Sequence, residues 1–332
     1  MSRMSLDGYG MSGSDSVPFE AVAGAAHLLA DFLPESPVHR ARGGRAVLKD
    51  EGSLPTGSFK VRGALNRILT DRDGACARGV VAASAGNHGM GVAYAARLVG
   101  AKATIVVPRA AVAVKVAGIR QLGAGVVEAP GGYAVAEAMG RSLAAENGAI
   151  WVSPYNDERV IAGQGVAGLE LLRQMEGTGE GALDEVYVPV GGGGLVAGVG
   201  VAFRRLSPGT RVVGAQPAAS PFMAVAFGGE DRRRVIERAT AADGLAGDVE
   251  EGAITIPLVR RVVDAMVLVS EDQICAATAW AWGGAGLRIE PSAAVAVAAY
   301  LAYGRGRCGV IVSGGNADPE WLAHCGVPPA SS

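Results

Sequence analysis

The sequence lacks closely spaced cysteines, long apolar runs and a strong charge of either sign, and each absence argues against a class of protein. Its four cysteines (Cys76, Cys275, Cys308 and Cys325) are scattered without CxxC spacing. That pattern predicts reduced thiols of a cytoplasmic protein and argues against zinc and disulfides. No uninterrupted apolar run is long enough to span a bilayer. The formal net charge of −2 provides no strongly basic surface for nucleic acid. We therefore expect neither a membrane protein nor a nucleic-acid-binding protein.

Two common nucleotide-binding signatures are also missing. No glycine-rich turn reads GxGxxG with a ribose-binding acid downstream, and none ends in the GK[ST] of a P-loop. A dinucleotide or ATP site is therefore disfavoured. Glycine itself is abundant, with 50 residues that cluster beside apolar segments. This clustering indicates tight turns and ligand loops instead of a flexible linker.

Strand and helix patterns alternate along most of the chain. Short apolar runs, such as residues 79–83 and 185–190, are each followed by apolar residues at helical spacing. The alternation predicts right-handed crossovers and a parallel sheet. With 332 residues, 49% of them hydrophobic, the chain can bury a large core in two lobes. Residues 1–15 are predicted to be a disordered tail, and residues 222–248 have no readable pattern.

One lysine stands at an unusual position. Residues 55–60 read Pro-Thr-Gly-Ser-Phe-Lys and lead into an amphipathic helix, so Lys60 lies at its start. The positive end of the helix dipole and burial both lower the pKa of an ammonium group. A lone lysine in a first turn is usually a solvated surface residue. The alternative is an amine that must lose its proton, as a Schiff-base lysine does, and the rest of the chain favours this alternative.

A run of four glycines, residues 191–194, lies between a predicted strand and a predicted helix. The backbone N–H groups of such a loop can approach an anion closely, and the helix N-terminus adds its dipole. A tight strand-to-helix turn is the simpler explanation, but a turn does not require four glycines. The pattern therefore favours a phosphate cradle for a small phosphorylated cofactor.

Two further loops follow predicted strands, at the edge where open α/β sheets bind ligands. In residues 84–88 (Ser-Ala-Gly-Asn-His), the amides and the Ser84 hydroxyl could hold a carboxylate, and Asn87 could bind a ring hydroxyl. His88 taken alone could equally be a core histidine. Residues 313–316 follow the last strand. An amine, a phosphate cradle, a carboxylate loop and a hydroxyl at a strand end together describe a pyridoxal phosphate (PLP) site.

These segments, in this order, resemble the fold-type II PLP-dependent enzymes, in the branch of the threonine/serine dehydratases (ammonia-lyases) and serine racemases. The matching motifs lie at residues 56–64, 84–88, 154–155, 160–165, 188–195, 290–292 and 313–316. The resemblance implies a tryptophan synthase β-like α/β fold: two open twisted α/β domains with the cofactor in the cleft between them. Residues 16–67 and 158–326 would form the large PLP-binding domain and residues 68–157 the small substrate-binding domain. No C-terminal regulatory domain is expected.

The resemblance also assigns roles to individual residues. Lys60 would be catalytic, holding PLP as a Schiff base and moving the Cα proton. The cofactor-binding residues would be Phe59, Lys60, Asn87, Gly191, Gly192, Gly193, Gly194, Leu195, Gly244, Glu290, Ser313 and Gly314. The substrate-binding residues would be Ser58, Ser84, Ala85, Gly86, Asn87 and His88. Ser313 would face the pyridine nitrogen, where a hydroxyl leaves the ring a weaker electron sink than a carboxylate would.

The implied reaction is α,β-elimination of water from L-threonine and/or L-serine, giving a 2-oxo acid and ammonia, in a cytoplasmic homodimer. Two departures from the family pattern bear on this expectation. Ala85 stands where racemases have an acid/base serine, so racemisation should be weak. Gln216 replaces the glutamate that usually begins a divalent-cation site, so we expect no structural metal.

Several alternatives use the same site. The chain could be an amino acid racemase, a β-replacement enzyme of specialised biosynthesis, or a catalytically silent relative that binds ligand. Arg288, Trp280 and Trp282 differ from the threonine enzymes. Surface or packing variation would explain them, whereas an altered side-chain pocket would favour 3-hydroxyaspartate or an aryl-serine as the substrate.

Overall fold

A computed structural model of the chain describes residues 17–41, 45–179 and 181–328. The predicted tail, residues 1–15, lies outside the described residues. The helices in these ranges are α1 (Phe19–Leu29), α2 (Lys60–Leu69), α3 (Arg72–Arg78), α4 (Asn87–Val99), α5 (Ala113–Gln121), α6 (Tyr133–Asn147), α7 (Glu158–Glu176), α8 (Gly194–Leu206), α9 (Phe222–Gly228), α10 (Thr255–Val262), α11 (Glu271–Ala285), α12 (Pro291–Tyr303) and α13 (Pro319–His324). The strands are β1 (Val38–Arg40), β2 (Ala46–Asp50), β3 (Val80–Ala83), β4 (Ala103–Pro108), β5 (Gly125–Ala129), β6 (Ile150–Trp151), β7 (Glu185–Pro189), β8 (Arg211–Pro217), β9 (Ala265–Val269) and β10 (Cys308–Val312).

The larger sheet has six strands in the order β1-β2-β10-β7-β8-β9. All its neighbouring strands are parallel except β1, which pairs antiparallel with β2 at one edge. The predicted parallel sheet is thus confirmed away from that edge. Because β10 and β7 are parallel neighbours, the loops that follow them emerge side by side. The glycine run and Ser313 therefore lie at the same edge of the sheet.

The smaller sheet has four parallel strands in the order β5-β4-β3-β6. All four lie between residues 68 and 157, the predicted small domain. Two sheets of unequal size, each with its own helices, are consistent with two α/β domains. The exact limits of these domains remain a prediction. Helix α4 begins at the end of β3 and packs against α2, which brings the two layers together near Lys60.

Both faces of the larger sheet are covered by helices. Along β7, Val186 and Val188 join the apolar core that contains α7 and α8, whereas Tyr187 between them joins the core formed with α12. Successive residues of a strand point to opposite faces, so neither face of β7 is open to solvent. Helices α7 and α8 approach so closely that a Cβ on Gly165 would lie 2.8 Å from the Gly198 carbonyl oxygen.

The cysteine prediction is wrong. Cys275 on α11 and Cys325 after α13 form a disulfide with Cα atoms 5.2 Å apart, while Cys76 and Cys308 are free. The partners are 50 residues apart in sequence, and only the packing of α13 against α11 brings them together. Within the described ranges, no helix is both long and apolar enough to cross a membrane.

Candidate active site

The main chain at Lys60 is held by two neighbouring elements. As predicted, Lys60 is the first residue of α2. The Phe59 N–H donates to the carbonyl oxygen of Ser313 at 3.0 Å, and Ser58 forms an isolated β-bridge with Gly314. On the other side, a Cβ on Gly91 of α4 would lie 3.1 Å from the Lys60 carbonyl carbon. The start of α2 is therefore fixed between the end of β10 and helix α4.

The Lys60 side chain is placed to lose its proton. Its Nζ donates to the Pro154 carbonyl oxygen at 3.1 Å and lies 5.1 Å from the centroid of the Phe59 ring. Burial lowers the pKa of the amine to about 8, and the Glu290 carboxylate partly offsets this effect. A buried amine hydrogen-bonded to a neutral carbonyl is a suitable nucleophile and base.

Glu290 and Asn87 form a polar link between the two layers. Asn87 Nδ2 donates to both carboxylate oxygens of Glu290, at 2.9 and 2.8 Å. Its Oδ1 accepts from Asn316 Nδ2 at 2.8 Å. Burial raises the pKa of Glu290 to about 7, although the Asn87 hydrogen bond opposes this shift. Both ends of the Asn87 amide are thus engaged by protein groups. Asn316 was not among the predicted site residues, although it belongs to the 313–316 motif.

The predicted carboxylate loop at residues 84–88 lies at the start of α4. The Ser84 hydroxyl accepts from the Gly86 N–H at 3.1 Å. A Cβ on Gly86 would meet nothing within 4 Å, so this side of the loop is open. His88 is buried, with Nε2 2.9 Å from the Val152 carbonyl oxygen. Burial and the nearby Lys60 lower the pKa of His88 to about 3, so its ring is neutral. His88 is therefore a core histidine, which is one of the two explanations that the sequence allowed.

Ala85 and Ser58 complete the predicted substrate residues. Ala85 is partly buried and packs against the main apolar core. The Ser58 hydroxyl is fully buried and has no hydrogen-bond partner among the described residues. A buried hydroxyl without a partner is costly, and a ligand carboxylate or cofactor oxygen would satisfy it.

The glycine run has the local geometry of an anion cradle. Residues 190–193 connect β7 to α8, and Gly194 is the first residue of α8. Gly193 has φ +89°, in the left-handed region, where other residues cost roughly 1–2 kcal/mol. The ring of Tyr155 lies against the loop, and a Cβ on Gly192 would overlap that ring. Side chains at these positions would run into neighbouring protein atoms, Tyr155 at Gly192 and Met223 at Gly193, so the loop can pack here only as glycine.

Three more residues surround this loop. Leu195 is buried in the first turn of α8. Gly244 lies next to the loop: a Cβ on Gly191 would be 3.5 Å from the Gly244 carbonyl oxygen. Thr255 packs on the loop as well, its Cβ 3.2 Å from the position of a Gly193 Cβ. The Thr255 hydroxyl is fully buried, and no group in the part of the chain that the structure describes hydrogen-bonds it, so it is a second orphaned donor at the site.

The arrangement fits pyridoxal phosphate. It combines a buried amine of lowered pKa, an anion cradle at a helix N-terminus and orphaned hydroxyls on Ser58 and Thr255. Ser313 is buried directly after β10, the strand that pairs with β7, after which the glycine run follows. Lys60 would hold the cofactor's aldehyde carbon, the glycine run its phosphate, and Ser313 its ring nitrogen.

Arg288 and the two tryptophans have partners outside this site. The Arg288 guanidinium donates to the Pro328 carbonyl oxygen at 2.7 Å and lies 4.8 Å from the centroid of the Trp282 ring. Trp280 packs against Tyr300, with ring centroids 5.9 Å apart. These contacts support the packing explanation and remove the basis for an altered substrate pocket.

At the position of the family's metal-binding glutamate, Gln216 serves a local purpose. It is buried, and its Oε1 accepts from the Ala224 N–H in the first turn of α9 at 2.7 Å. Over residues 17–41, 45–179 and 181–328, no three His, Cys, Asp or Glu residues are grouped to hold a metal ion.

Comparison with known proteins identifies the relatives of this chain. A family model described as "Pyridoxal-phosphate dependent enzyme" matches residues 32–314. L-threonine ammonia-lyase of Thermotoga maritima is 40% identical over 284 residues, 84% of this chain and 69% of that protein. Serine racemase of Dictyostelium discoideum is 34% identical over 294 residues, 86% of this chain and 89% of that protein. Among solved structures, maize serine racemase is 31% identical with a TM-score of 0.84, covering 93% of this chain and 96% of that chain.

Proposed function

The chain belongs to the fold-type II pyridoxal-phosphate dependent enzymes, and from that premise we propose that it is a dehydratase (ammonia-lyase) for a β-hydroxy α-amino acid. The substrate is L-threonine or L-serine, and the products are a 2-oxo acid and ammonia. The observation that carries the proposal is a poised base, Lys60, beside a substrate loop that holds no second proton carrier. The Lys60 amine has a pKa near 8, whereas neither His88 nor Ala85 in the neighbouring loop offers a second proton carrier.

Each residue of the site has its own role in the proposed elimination. Bound PLP supplies an electron sink that stabilises negative charge at the substrate α carbon. Lys60 takes the Cα proton as general base, because a pKa near 8 leaves part of the amine neutral at physiological pH. The Pro154 carbonyl orients this amine through its 3.1 Å hydrogen bond. The Ser58 hydroxyl and the loop at residues 84–88 bind the substrate carboxylate, and the glycine run binds the cofactor phosphate.

Racemisation of serine is the second candidate, and the serine racemase relatives favour it. A racemase must return a proton to the opposite face of the α carbon, which requires a second acid. Ala85 has no such group, and the His88 ring is neutral and held by Val152. Elimination is therefore preferred. The 3-hydroxyaspartate and aryl-serine alternatives lose their residue basis with the contacts of Arg288 and Trp280.

A substrate screen tests the proposal. The purified holoenzyme is incubated with L-threonine, L-serine, 3-hydroxyaspartate and an aryl-serine, and 2-oxo acid is measured together with the enantiomer of the remaining amino acid. We expect 2-oxobutyrate or pyruvate and little inversion. A Lys60→Ala variant should lose both activity and the absorption band of lysine-bound PLP. If none of the four substrates yields a 2-oxo acid, the dehydratase proposal is wrong.

Three further attributes belong to the proposal. They are the homodimer, the cytoplasmic location, and the division into a 16–67/158–326 domain and a 68–157 domain. Light scattering in solution tests the homodimer, which would be contradicted by a mass near the 33.5 kDa of one chain.

A further inference from the structure

One short turn supports two parts of the PLP site at once. Residues 153–156, here called the SPYN turn, follow the small-sheet strand β6. The Pro154 carbonyl oxygen accepts the hydrogen bond from Lys60 Nζ. The next residue, Tyr155, lays its ring against the glycine run: a Cβ on Gly194 would lie 3.0 Å from the Tyr155 Cβ. A displacement of this turn would therefore disturb both the amine and the phosphate cradle.

The SPYN turn is held from outside by the segment 250–254. The Glu250 N–H donates to the Tyr155 hydroxyl at 2.9 Å, and Asn156 Nδ2 donates to Glu250 Oε2 at 2.9 Å. The Ile254 N–H donates to Asn156 Oδ1 at 3.0 Å. Both polar side chains that follow Pro154 are thus attached to one segment, and Glu250 contributes to two of the three hydrogen bonds.

Glu250 also forms an ion pair with an arginine on a helix that packs against the smaller sheet. Arg141, on α6, places Nη2 2.8 Å from Glu250 Oε2 and 2.7 Å from Glu137 Oε1. The same guanidinium lies 5.0 Å from the centroid of the Trp151 ring in β6. The Glu250 side chain is 23% exposed and the Arg141 side chain 43% exposed, so the ion pair is partly shielded from solvent. Helix α6 packs on the smaller sheet, so the pair joins that layer to the 250–254 segment.

We propose that Glu250 is a positioning residue for the cofactor: it fixes the SPYN turn and thereby sets both the Lys60 amine and the phosphate cradle. It touches neither substrate nor the reacting atoms. Its Oε2 is shared by Asn156 and Arg141, so the position of the turn depends on the ion pair between the layers. The inference rests on the proposed roles of Lys60 and the glycine run.

Cofactor affinity measures this role directly. Holoenzyme variants are diluted, release of PLP is followed through the absorption band of the lysine-bound cofactor, and a dissociation constant is obtained by titrating PLP back. We expect Glu250→Ala to raise this constant about tenfold, the effect of losing one charge-assisted hydrogen bond. The neighbouring Glu251 is exposed, and Glu251→Ala, the matched control, should stay within about twofold of wild type.

Conservative variants separate positioning from general support of the fold. Glu250→Gln keeps an acceptor for Asn156 but loses the ion pair, so it should weaken PLP binding measurably but less than Glu250→Ala does. Arg141→Gln loses the same ion pair and should weaken PLP binding to the same extent as Glu250→Gln. The double variant should be no weaker than either single one, because both remove the same ion pair. Glu250→Ala should also change the pH titration of the cofactor band, since Pro154 no longer orients the Lys60 nitrogen.

The opposite results are equally clear. Unchanged PLP affinity in Glu250→Ala would overturn the proposal. It would also be overturned if this variant lost thermal stability while the affinity and the pH titration of the band stayed as in wild type. If Glu250→Ala does not fold, Arg141→Gln decides alone, and wild-type affinity in that variant contradicts the proposal. Absence of 2-oxo acid production would refute the dehydratase without affecting these titrations.

Discussion

In the cofactor-free protein, the buried amine of Lys60 should cost stability, and Lys60→Met should recover it. Burial lowers the pKa of this amine from its ordinary value of 10.5 to about 8. One pKa unit corresponds to about 1.4 kcal/mol between the two protonation states. The protonated amine therefore reduces the free energy of unfolding by about 3 kcal/mol at pH 7. Methionine has a similar length and no charge, so it should fill the same space at little cost.

The stability that Lys60→Met gains over wild type should decrease as the pH rises. A lysine whose folded pKa is lowered costs stability while it is protonated, and the full cost is present below the folded pKa of about 8. As the pH rises from 8 towards 10.5, the amine deprotonates in the folded protein first, and the cost disappears. The advantage of Lys60→Met should therefore be about 3 kcal/mol at pH 7 and close to zero near pH 10.5.

Urea unfolding of the cofactor-free proteins at about pH 7, 8, 9 and 10 measures this difference. Lys102 is exposed, and Lys102→Met as the matched control should change the free energy of unfolding by less than about 0.5 kcal/mol at every pH. Added PLP should reverse the order, because only wild type can bind the cofactor through Lys60. If Lys60→Met were no more stable than wild type at pH 7, or if its advantage did not shrink with pH, the amine would not be desolvated as described.

Three other substitutions test separate parts of the molecule. Glu170→Ala should lower the free energy of unfolding by about 3–5 kcal/mol, because it leaves the buried Arg62 guanidinium without one of its two carboxylates. Urea unfolding measures this change, with the exposed Glu176→Ala as the control. Equal stabilities of the two variants would contradict the prediction. Gly193→Ala should weaken PLP binding at least about tenfold, because φ is +89° at this position and the new Cβ would lie 2.8 Å from a methionine methyl group. Unchanged PLP affinity in an absorbance titration would argue against the phosphate cradle. Ala85→Ser should produce D-serine from L-serine, detectable by chiral chromatography, and its absence would mean that a hydroxyl at this position does not reach the α carbon.

Local patterns predicted the elements that carry the site. Lys60 begins α2 and Gly194 begins α8, because strand-loop-helix junctions are encoded within about ten residues of sequence. Ser270 is the N-cap of α11 and forms a full capping box with Gln273, three residues along the chain. Each of these features depends on neighbours in sequence, so a single chain without relatives was enough to find it.

Features that depend on distant neighbours were not predictable in this way. Glu250 contacts Tyr155 from 95 residues away, and no spacing rule connects a tyrosine in one loop to a main-chain amide in another. Cys275 and Cys325 are joined only because α13 folds back on α11. Arg288 is near Glu290 in sequence, yet its side chain binds Pro328. The sequence could identify it as unusual, but only the packing decides where a long side chain points.

The first turn of α2 shows how one helix can hold a desolvated amine and still be firmly placed. Two residues after Lys60, Arg62 is buried and paired with Glu51 at 2.6 Å and with Glu170 at 2.7 Å. These carboxylates raise the pKa of the guanidinium above its already high ordinary value. Lys60 instead hydrogen-bonds a neutral carbonyl, and burial lowers its pKa. The helix end that carries this amine is anchored by the ion pairs of Arg62. Since breaking such a buried pair costs about as much as desolvating Lys60, the network around Arg62 is strong enough to keep α2 in register while its first residue stays reactive.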